Sequence, residues 1–252
     1  MKNCFSNFVG VIDSGVGGLT VLRQLQRDFP DCNYVYLADS AYCPYGVKQP
    51  HEIQRRVETL INALQDNGVI AAVIACNTAS VFADVFRAKF NIPIYDVIAP
   101  TCKYVASVTR IKRVALLATD ATVNSGVYQR ELATRDIAVK AFRCSSFVPF
   151  VEGNNIDTSE CSNVVASTLS SLKNCDVDTV ILGCTHFPIL RKKIFPFANG
   201  KEIVECCTDF QQPVDCSFEH TSKTLFFTTG VEKQTNNASQ WFGKTDFVHV
   251  DL

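Results

Sequence analysis

The sequence predicts an α/β protein made of two pseudo-symmetric, doubly wound parallel-sheet domains, with the active site in the cleft between them. Three observations predict this architecture. Short apolar runs alternate with stretches whose apolar residues recur at helical spacing. The alternation restarts after Ala99-Pro100, near the middle of the chain. Two apolar runs also end in the same way, at Cys76 and at Cys184, each followed by polar residues.

The first unit contains four predicted strands. Apolar runs of strand length occupy residues 8–12, 34–38, 71–75 and 92–97. Apolar stripes at helical spacing follow the first three strands, at 19–29, 53–64 and 81–90. Parallel strands need crossover connections, so this order predicts a parallel sheet with helices on both faces.

The second half of the chain repeats this order. Strands are predicted at 113–118, 137–144 and 178–183, and helices at 103–109 and 160–172. Pro149, Glu152 and Gly153 fall between the second of these strands and the second helix, where we expect a loop.

The last part of the chain is expected to return to the first unit. Strands are predicted at 224–228 and 247–250, with a short helix at 238–242. Two such strands are not stable alone, so we expect them to join the first sheet. The predicted domains are therefore a discontinuous first domain, 1–98 plus 208–252, and a second domain, 99–207.

The two units match at three positions. Asp13 and Thr119 both end a first strand and lie 106 residues apart. Pro44 and Pro149 both follow a second strand and lie 105 residues apart, while the two strand-end cysteines lie 108 residues apart. Near-equal offsets in matching contexts indicate two related α/β units. The alternative is that any doubly wound protein can show such coincidences.

The composition argues against several classes of partner. The chain has 252 residues, of which 47% are hydrophobic and 19% charged, as in ordinary soluble proteins. A net charge of −1 gives no electrostatic reason to expect nucleic acid or an anionic membrane. No apolar run approaches the roughly 18 residues of a membrane span, and residues 1–8 lack the apolar core of a signal peptide. We expect a cytoplasmic protein with neither partner.

Twelve cysteines are a high count, and none forms a C-x-x-C pair. Zinc-ribbon and thioredoxin-like sites are therefore disfavoured. Most of these cysteines are expected to pack as small apolar side chains in a reducing compartment. Cys76 and Cys184 differ from the others because each ends a predicted strand, where α/β proteins place their chemistry.

The first strand is followed by the turn Asp13-Ser14-Gly15-Val16-Gly17-Gly18. Thr20 stands where a dinucleotide fingerprint needs its third glycine, and no P-loop lysine follows. A plain strand–helix turn is the alternative, but Asp13 and Ser14 at a strand end favour a functional role. The later loop Pro44-Tyr45-Gly46 can present backbone N–H groups and an aromatic hydroxyl to a ligand.

Two thiols that face each other across a cleft can invert a stereocentre. One thiolate removes a proton from carbon, and the other thiol returns a proton from the opposite face. Each sulfur would lie about 3–3.5 Å from the carbon, which keeps the sulfurs too far apart for a disulfide. A free thiol has a pKa of about 8.5, so each needs help to ionise. Asp13 is the candidate helper of Cys76 and His186 that of Cys184, although a lone histidine is often structural.

Six short segments, in order between about residue 9 and residue 190, form a specific pattern. They are 11–20, 44–46, 75–79, 118–119 with Thr122, 151–153 and 182–188. In combination they closely resemble the glutamate racemases, the cofactor-independent amino-acid racemases that supply D-glutamate for bacterial peptidoglycan. The resemblance implies two α/β domains, the second inserted into the first, with the active site between them.

The resemblance also implies roles for individual residues. Cys76 would serve the D-enantiomer and Cys184 the L-enantiomer, with Asp13, Glu152 and His186 helping to move protons. The residues implied to bind the amino acid are Asp13, Ser14, Asn77, Thr78, Thr119, Thr122, Thr185 and His186. Those implied to line the pocket are Pro44, Tyr45 and Gly46.

The expected partner is a small molecule, L- or D-glutamate, and no metal, pyridoxal phosphate or nicotinamide is implied. A homodimer is left open. The match weakens after residue 200, where Glu205-Cys206-Cys207 replaces the usual aspartate and small residues. Cys43, just before Pro44, could place a third thiol near the cleft. The alternatives are an aspartate or hydantoin racemase with the same two-thiol chemistry, or a non-catalytic amino-acid-binding protein.

Overall fold

A computed structural model of the protein describes residues 4–206, 222–232, 235 and 237–252. Ten strands in these ranges form two sheets, and every pairing is parallel. The strands are Phe8–Asp13 (β1), Asn33–Ala38 (β2), Ala71–Ile74 (β3), Ile94–Asp96 (β4), Arg113–Ala118 (β5), Ala138–Arg143 (β6), Thr179–Gly183 (β7), Glu202–Glu205 (β8), Thr224–Thr228 (β9) and Phe247–His249 (β10).

The strand order shows that the two units are related. The six-stranded sheet has the order β10-β9-β2-β1-β3-β4, and the four-stranded sheet has the order β6-β5-β7-β8. The segment β2-β1-β3-β4 of the first sheet therefore recurs, strand for strand, as the whole second sheet. The predicted pseudo-symmetric α/β architecture is confirmed, and the two late strands join the first sheet as expected.

Helices connect the strands. They are Leu19–Asp28 (α1), Pro50–Asp66 (α2), Asn77–Ser80 (α3), Ala83–Lys89 (α4), Ile98–Val108 (α5), Asp120–Ser125 (α6), Val127–Ala133 (α7), Val148–Glu152 (α8), Ser159–Leu169 (α9), Arg191–Ala198 (α10) and Ser239–Phe242 (α11). Short 3-10 turns lie at Ser40–Tyr42, Tyr45–Val47, Ser145–Phe147, Leu172–Asn174 and Phe187–Leu190. None of the helices in the described ranges is long and apolar enough to cross a membrane.

Successive residues of β1 face opposite sides of the first sheet, as the period of two requires. Val9 and Val11 belong to a core that includes buried residues of α1, such as Leu22. Ile12 belongs to a separate core that includes Leu60 of α2. Burial on both faces explains why these strands are continuous apolar runs in the sequence.

Several predictions about elements are wrong or incomplete, and helices α6, α7 and α10 were not predicted. Glu152 ends helix α8 and does not lie in a loop. Pro100 lies in the first turn of α5, where proline is tolerated, so the expected boundary signal falls inside a helix. Strand β8 was not predicted, because only two of its four residues, Ile203 and Val204, are buried. The domain limits at 98 and 207 remain a proposal, and the second of them adjoins residues 207–221, which lie outside the described ranges.

A buried ion pair anchors the loop after β2. The carboxylate of Asp39 is fully buried and accepts hydrogen bonds from Arg56 Nη2 at 2.6 Å and Nε at 3.1 Å. Tyr45 and Thr229 donate hydroxyl hydrogen bonds to the same carboxylate, at 2.5 Å and 2.8 Å. Asp39 therefore links α2, the 3-10 turn at Tyr45 and the end of β9.

We predict that Arg56→Ala lowers the free energy of unfolding by about 3–5 kcal/mol, because it leaves the Asp39 carboxylate buried without its cation. Urea denaturation measures the change. The control is Lys89→Ala, which removes the exposed Lys89–Glu58 pair and should cost at most about 1 kcal/mol. Equal losses in both variants would contradict this account of the loop.

Candidate active site

The candidate site lies where the carboxyl ends of strands from both sheets meet. Asp13 ends β1 and Cys76 follows β3 by two residues, while Thr119 and Cys184 directly follow β5 and β7. All four residues are at most 6% exposed. The Thr185 hydroxyl donates to Asp13 Oδ2 at 3.1 Å, which joins the two sets of strand ends. The predicted meeting of the two units at one cleft is therefore present.

The glycine turn after β1 approaches the second unit so closely that side chains would not fit. A Cβ atom on Gly15 would lie 2.1 Å from Glu152 Oε1. A Cβ atom on Gly17 would lie 2.6 Å from both His186 Nδ1 and Thr185 Oγ1. These glycines serve close packing between the two units, and not only the tight turn that the sequence predicts.

Cys184, His186 and Glu152 form a continuous chain of contacts. The Cys184 sulfur lies 3.6 Å from His186 Nδ1, and His186 Nε2 lies 2.6 Å from Glu152 Oε1. The backbone N–H of Val16 donates to the same carboxylate oxygen at 3.0 Å. Burial opposes ionisation of His186, but its contacts with Cys184 and Glu152 raise the pKa of the imidazole well above its usual value. Burial likewise opposes ionisation of Glu152, but His186 holds the pKa of that carboxyl below its usual value.

Cys76 has a different environment. Its thiol donates to Ser14 Oγ at 3.8 Å. Burial and the charge of Asp13 raise the pKa of Cys76 to about 12, although the Ala79 N–H opposes the shift. Burial also raises the pKa of Asp13 to about 6, against the lowering effect of His186. At neutral pH the Cys76 thiol is therefore protonated, while Asp13 is mostly ionised.

Threonine hydroxyls from both units meet beside the cysteines. Thr78 Oγ1 lies 2.9 Å from Thr119 Oγ1 and 3.3 Å from Thr122 Oγ1, and the latter two are 3.0 Å apart. Asn77 Oδ1 accepts a hydrogen bond from Tyr128 at 2.6 Å, while its buried Nδ2 has no hydrogen-bond partner among the described residues. These hydroxyls and the amide can turn towards a carboxylate that enters the cleft.

The loop at Tyr45 meets the site differently from the prediction. The Tyr45 hydroxyl donates to Asp39 and so is not offered to a ligand, which corrects that part of the sequence interpretation. Gly46 does reach the cleft, because a Cβ atom there would lie 2.7 Å from Thr119 Cβ. Pro44 directly precedes the 3-10 turn that carries both residues. A cavity of about 480 Å³ extends outward from Gly46 and Thr78 between the two units.

Sequence reasoning missed several residues around the site. Tyr128 holds Asn77, and Tyr36 donates to the carbonyl of Gly15 at 2.8 Å. Tyr36 lies in a continuous apolar strand and Tyr128 in an ordinary amphipathic helix, so no sequence signal distinguishes them from core residues. Cys43 was predicted to lie near the cleft, and its sulfur would be 3.1 Å from a Cβ atom on Gly15.

Comparisons with known proteins agree with this geometry. A family model described as Asp/Glu/Hydantoin racemase matches residues 12–208. The glutamate racemase of Bacillus cereus is 36% identical over 250 residues, which cover 94% of this chain and 93% of the relative. Another relative, the glutamate racemase of Carnobacterium sp., is 34% identical over an alignment that covers 97% of this chain and 98% of the relative.

Solved structures give the same result. The glutamate racemase isoform RacE1 from Bacillus anthracis superimposes with a TM-score of 0.90 at 30% identity, covering 98% of each chain. The glutamate racemase from Francisella tularensis in complex with D-glutamate gives a TM-score of 0.83 at 26% identity, again over 98% of each chain. The chain therefore belongs to the Asp/Glu/hydantoin racemase family.

Proposed function

We propose that this protein interconverts L- and D-glutamate by proton transfer at Cα, with Cys184 acting on the L-enantiomer and Cys76 on the D-enantiomer. The observation that carries the proposal is the pair of buried cysteines at equivalent strand ends of two units with the same strand order. The relatives that are named glutamate racemases, and the Francisella structure with D-glutamate, support glutamate as the substrate.

On the L-side, Cys184 is the proposed base. An imidazolium at His186, 3.6 Å from the sulfur and held by Glu152, stabilises negative charge on that sulfur by Coulomb attraction. The thiolate removes the Cα proton of L-glutamate. Glu152 fixes the orientation of the imidazole and also accepts from Val16, so the base is positioned by both units.

On the opposite face, Cys76 is the proposed acid. Its raised pKa keeps the thiol protonated at neutral pH, ready to donate to Cα. After donation, the Ser14 hydroxyl and the Ala79 N–H are placed to stabilise the Cys76 thiolate. In the reverse direction, Asp13 is the proposed acceptor of the Cys76 proton, because uptake of that proton neutralises the carboxylate whose negative charge otherwise opposes ionisation of the thiol.

The proposed substrate contacts use the polar groups that surround the thiols. Carboxylates of glutamate would replace the mutual hydrogen bonds of Thr78, Thr119 and Thr122, and would accept from Asn77 Nδ2. The remaining proposed binding groups are Asp13, Ser14, Thr185 and His186, with Pro44, Tyr45 and Gly46 as pocket lining. No step of this reaction needs a metal or an organic cofactor. We propose that the product supplies peptidoglycan synthesis in the cytoplasm.

We predict that Cys76→Ser and Cys184→Ser each lower racemisation of glutamate by about 10²–10⁴-fold, the usual contribution of a general acid or base. Polarimetry measures the rate from each enantiomer. The control is Cys4→Ser at an exposed position, which should keep full activity. Full activity in either active-site variant would exclude the two-thiol mechanism, and faster turnover of aspartate than of glutamate would overturn the proposed substrate.

A second prediction concerns His186→Asn. The equilibrium constant between enantiomers is one, so kcat/KM must fall equally in both directions in any variant. Weakening Cys184 makes its proton transfer more rate-limiting. The primary isotope effect on kcat/KM should therefore rise for L-glutamate deuterated at Cα and fall for deuterated D-glutamate.

The exposed His249→Asn is the matched control and should leave both isotope effects unchanged. Isotope effects that change equally for the two enantiomers in His186→Asn would show that His186 does not act through Cys184.

A third prediction follows from the buried carboxyl of Asp13. Its pKa of about 6 exceeds the ordinary value of 3.8, so the folded chain binds more protons than the unfolded chain between pH 4 and 6. Stability contributed by this group therefore falls as pH rises through that window, by about 3 kcal/mol in total. In urea denaturation, the free energy of unfolding of Asp13→Asn should increase by about this amount relative to that of wild type as the pH is raised from 4 to 7.

Asp120→Asn is the control of opposite sign, because hydrogen bonds to Ser145 and Arg143 hold the pKa of Asp120 below its usual value. That variant should lose stability relative to wild type as pH rises through the range just below the ordinary pKa of 3.8, and its difference from wild type should stay nearly constant between pH 5 and 7. A difference between Asp13→Asn and wild type that stays constant from pH 4 to pH 7 would contradict the assignment of a raised pKa to Asp13.

A further inference from the structure

Cys43 is a thiol at the active site that the proposed reaction does not use. It is partly buried and lies in the loop after β2, two residues before Tyr45. Its sulfur and the Glu152 carboxylate converge on Gly15, since a Cβ atom there would lie 3.1 Å from the sulfur and 2.1 Å from Glu152 Oε1. The presence of a third thiol at this point of the cleft calls for a chemical role.

Three different metal-ligating groups meet here. One ligand atom each from Cys43, Glu152 and His186 can be chosen so that all three lie within 4.8 Å of one another. Ligands of a tetrahedral zinc ion, with bonds of about 2.0–2.3 Å, lie roughly 3.3–3.8 Å apart. To coordinate an ion, His186 Nε2 and Glu152 Oε1, now 2.6 Å apart, would have to separate by roughly 1 Å, and any longer distance in the set would have to shorten by a similar amount. Thiolate, imidazole and carboxylate are the ligand types that zinc prefers.

We propose that Cys43, Glu152 and His186 form an inhibitory binding site for a borderline divalent cation such as Zn²⁺. Binding would replace the thiol proton of Cys43 and the proton on His186 Nε2, and both protons would leave to solvent. Water would fill the fourth position, as in zinc sites with three protein ligands.

Charge balance favours this occupant. With the thiolate of Cys43 and the carboxylate of Glu152, a dication gives a set of ligands with no net charge. The carboxylate of Asp13 adds further negative potential, since it interacts electrostatically with Glu152 and His186. A buried cluster of this kind holds a cation more readily than an anion.

Occupation of this site would stop the proposed reaction. The ion would be coordinated by His186 Nε2 and Glu152 Oε1, which in its absence lie 2.6 Å from each other. The link that holds the imidazole against Cys184 would be lost. This inhibition rests on the proposed racemase function, whereas metal binding itself can be measured without substrate.

The test is a titration of the substrate-free full-length chain with Co²⁺, in buffer without chelators, followed by absorption in the near ultraviolet. Wild type should show a thiolate-to-cobalt charge-transfer band that saturates at one equivalent. Cys43→Ser should lose the band. Its affinity for Zn²⁺, measured by calorimetry, should fall at least about 100-fold, because mutation of residues that only hydrogen-bond to a metal ligand already lowers metal affinity by about 10–100-fold. Cys76→Ser and Cys184→Ser are matched controls and should keep the band.

Two results would overturn the proposal. One is the absence of a band in wild type. The other is a band that survives in Cys43→Ser and disappears in Cys184→Ser, which would place the metal on the catalytic thiol. If Cys43→Ser does not fold, as judged by thermal denaturation, Glu152→Gln replaces it and should weaken Zn²⁺ binding by about 10–100-fold or more.

Activity is a separate readout. Zn²⁺ should inhibit racemisation by wild type at concentrations at least about tenfold below those that inhibit Cys43→Ser. Equal inhibition of the two proteins would overturn the inhibitory role. A wild type that binds cobalt through Cys43 but does not racemise glutamate would refute the proposed function and leave the metal site standing.

Discussion

The hydrogen bond between Glu152 and His186 is the interaction on which the rest of the site depends. The carboxylate comes from the end of α8 in the second unit, yet it also accepts from Val16 in the glycine turn of the first. The same bond orients the imidazole against Cys184. One carboxylate thus fixes both the orientation of the imidazole and the approach of the two units. This arrangement requires close packing at Gly15, where no larger residue fits.

The two halves of the site are equivalent in topology and different in electrostatics. Cys184 adjoins a protonated imidazole, whereas Cys76 adjoins a hydroxyl and a buried carboxylate. A positively charged group therefore lies beside one thiol and a negatively charged group beside the other, so the two faces of the site differ in charge. A racemase needs this asymmetry in either direction, because one thiol must be ionised while the other is not.

The succession of strands along the chain, the turn after β1 and the two strand-end cysteines could be predicted because buried parallel strands leave continuous apolar runs with polar residues at their ends. The roles of residues that depend on contacts between distant parts of the chain could not be predicted. The Tyr45 hydroxyl donates a hydrogen bond to Asp39, and Tyr128 of the second unit donates one to Asn77 of the first. Neither contact can be predicted from the spacing of residues along the sequence. The predicted loop at Pro149, Glu152 and Gly153 is a short helix up to Glu152, since proline is tolerated in the first turn of a helix.

The central claim is that two thiols act on opposite faces of Cα. The most direct measurement is racemisation of L-glutamate in D₂O, stopped at early times, with the deuterium content of each enantiomer determined by mass spectrometry. The account predicts that the D-glutamate formed carries solvent deuterium at Cα while the remaining L-glutamate stays protiated. Deuterium that enters both enantiomers at the same rate from the start would show a single shared base and would contradict the account.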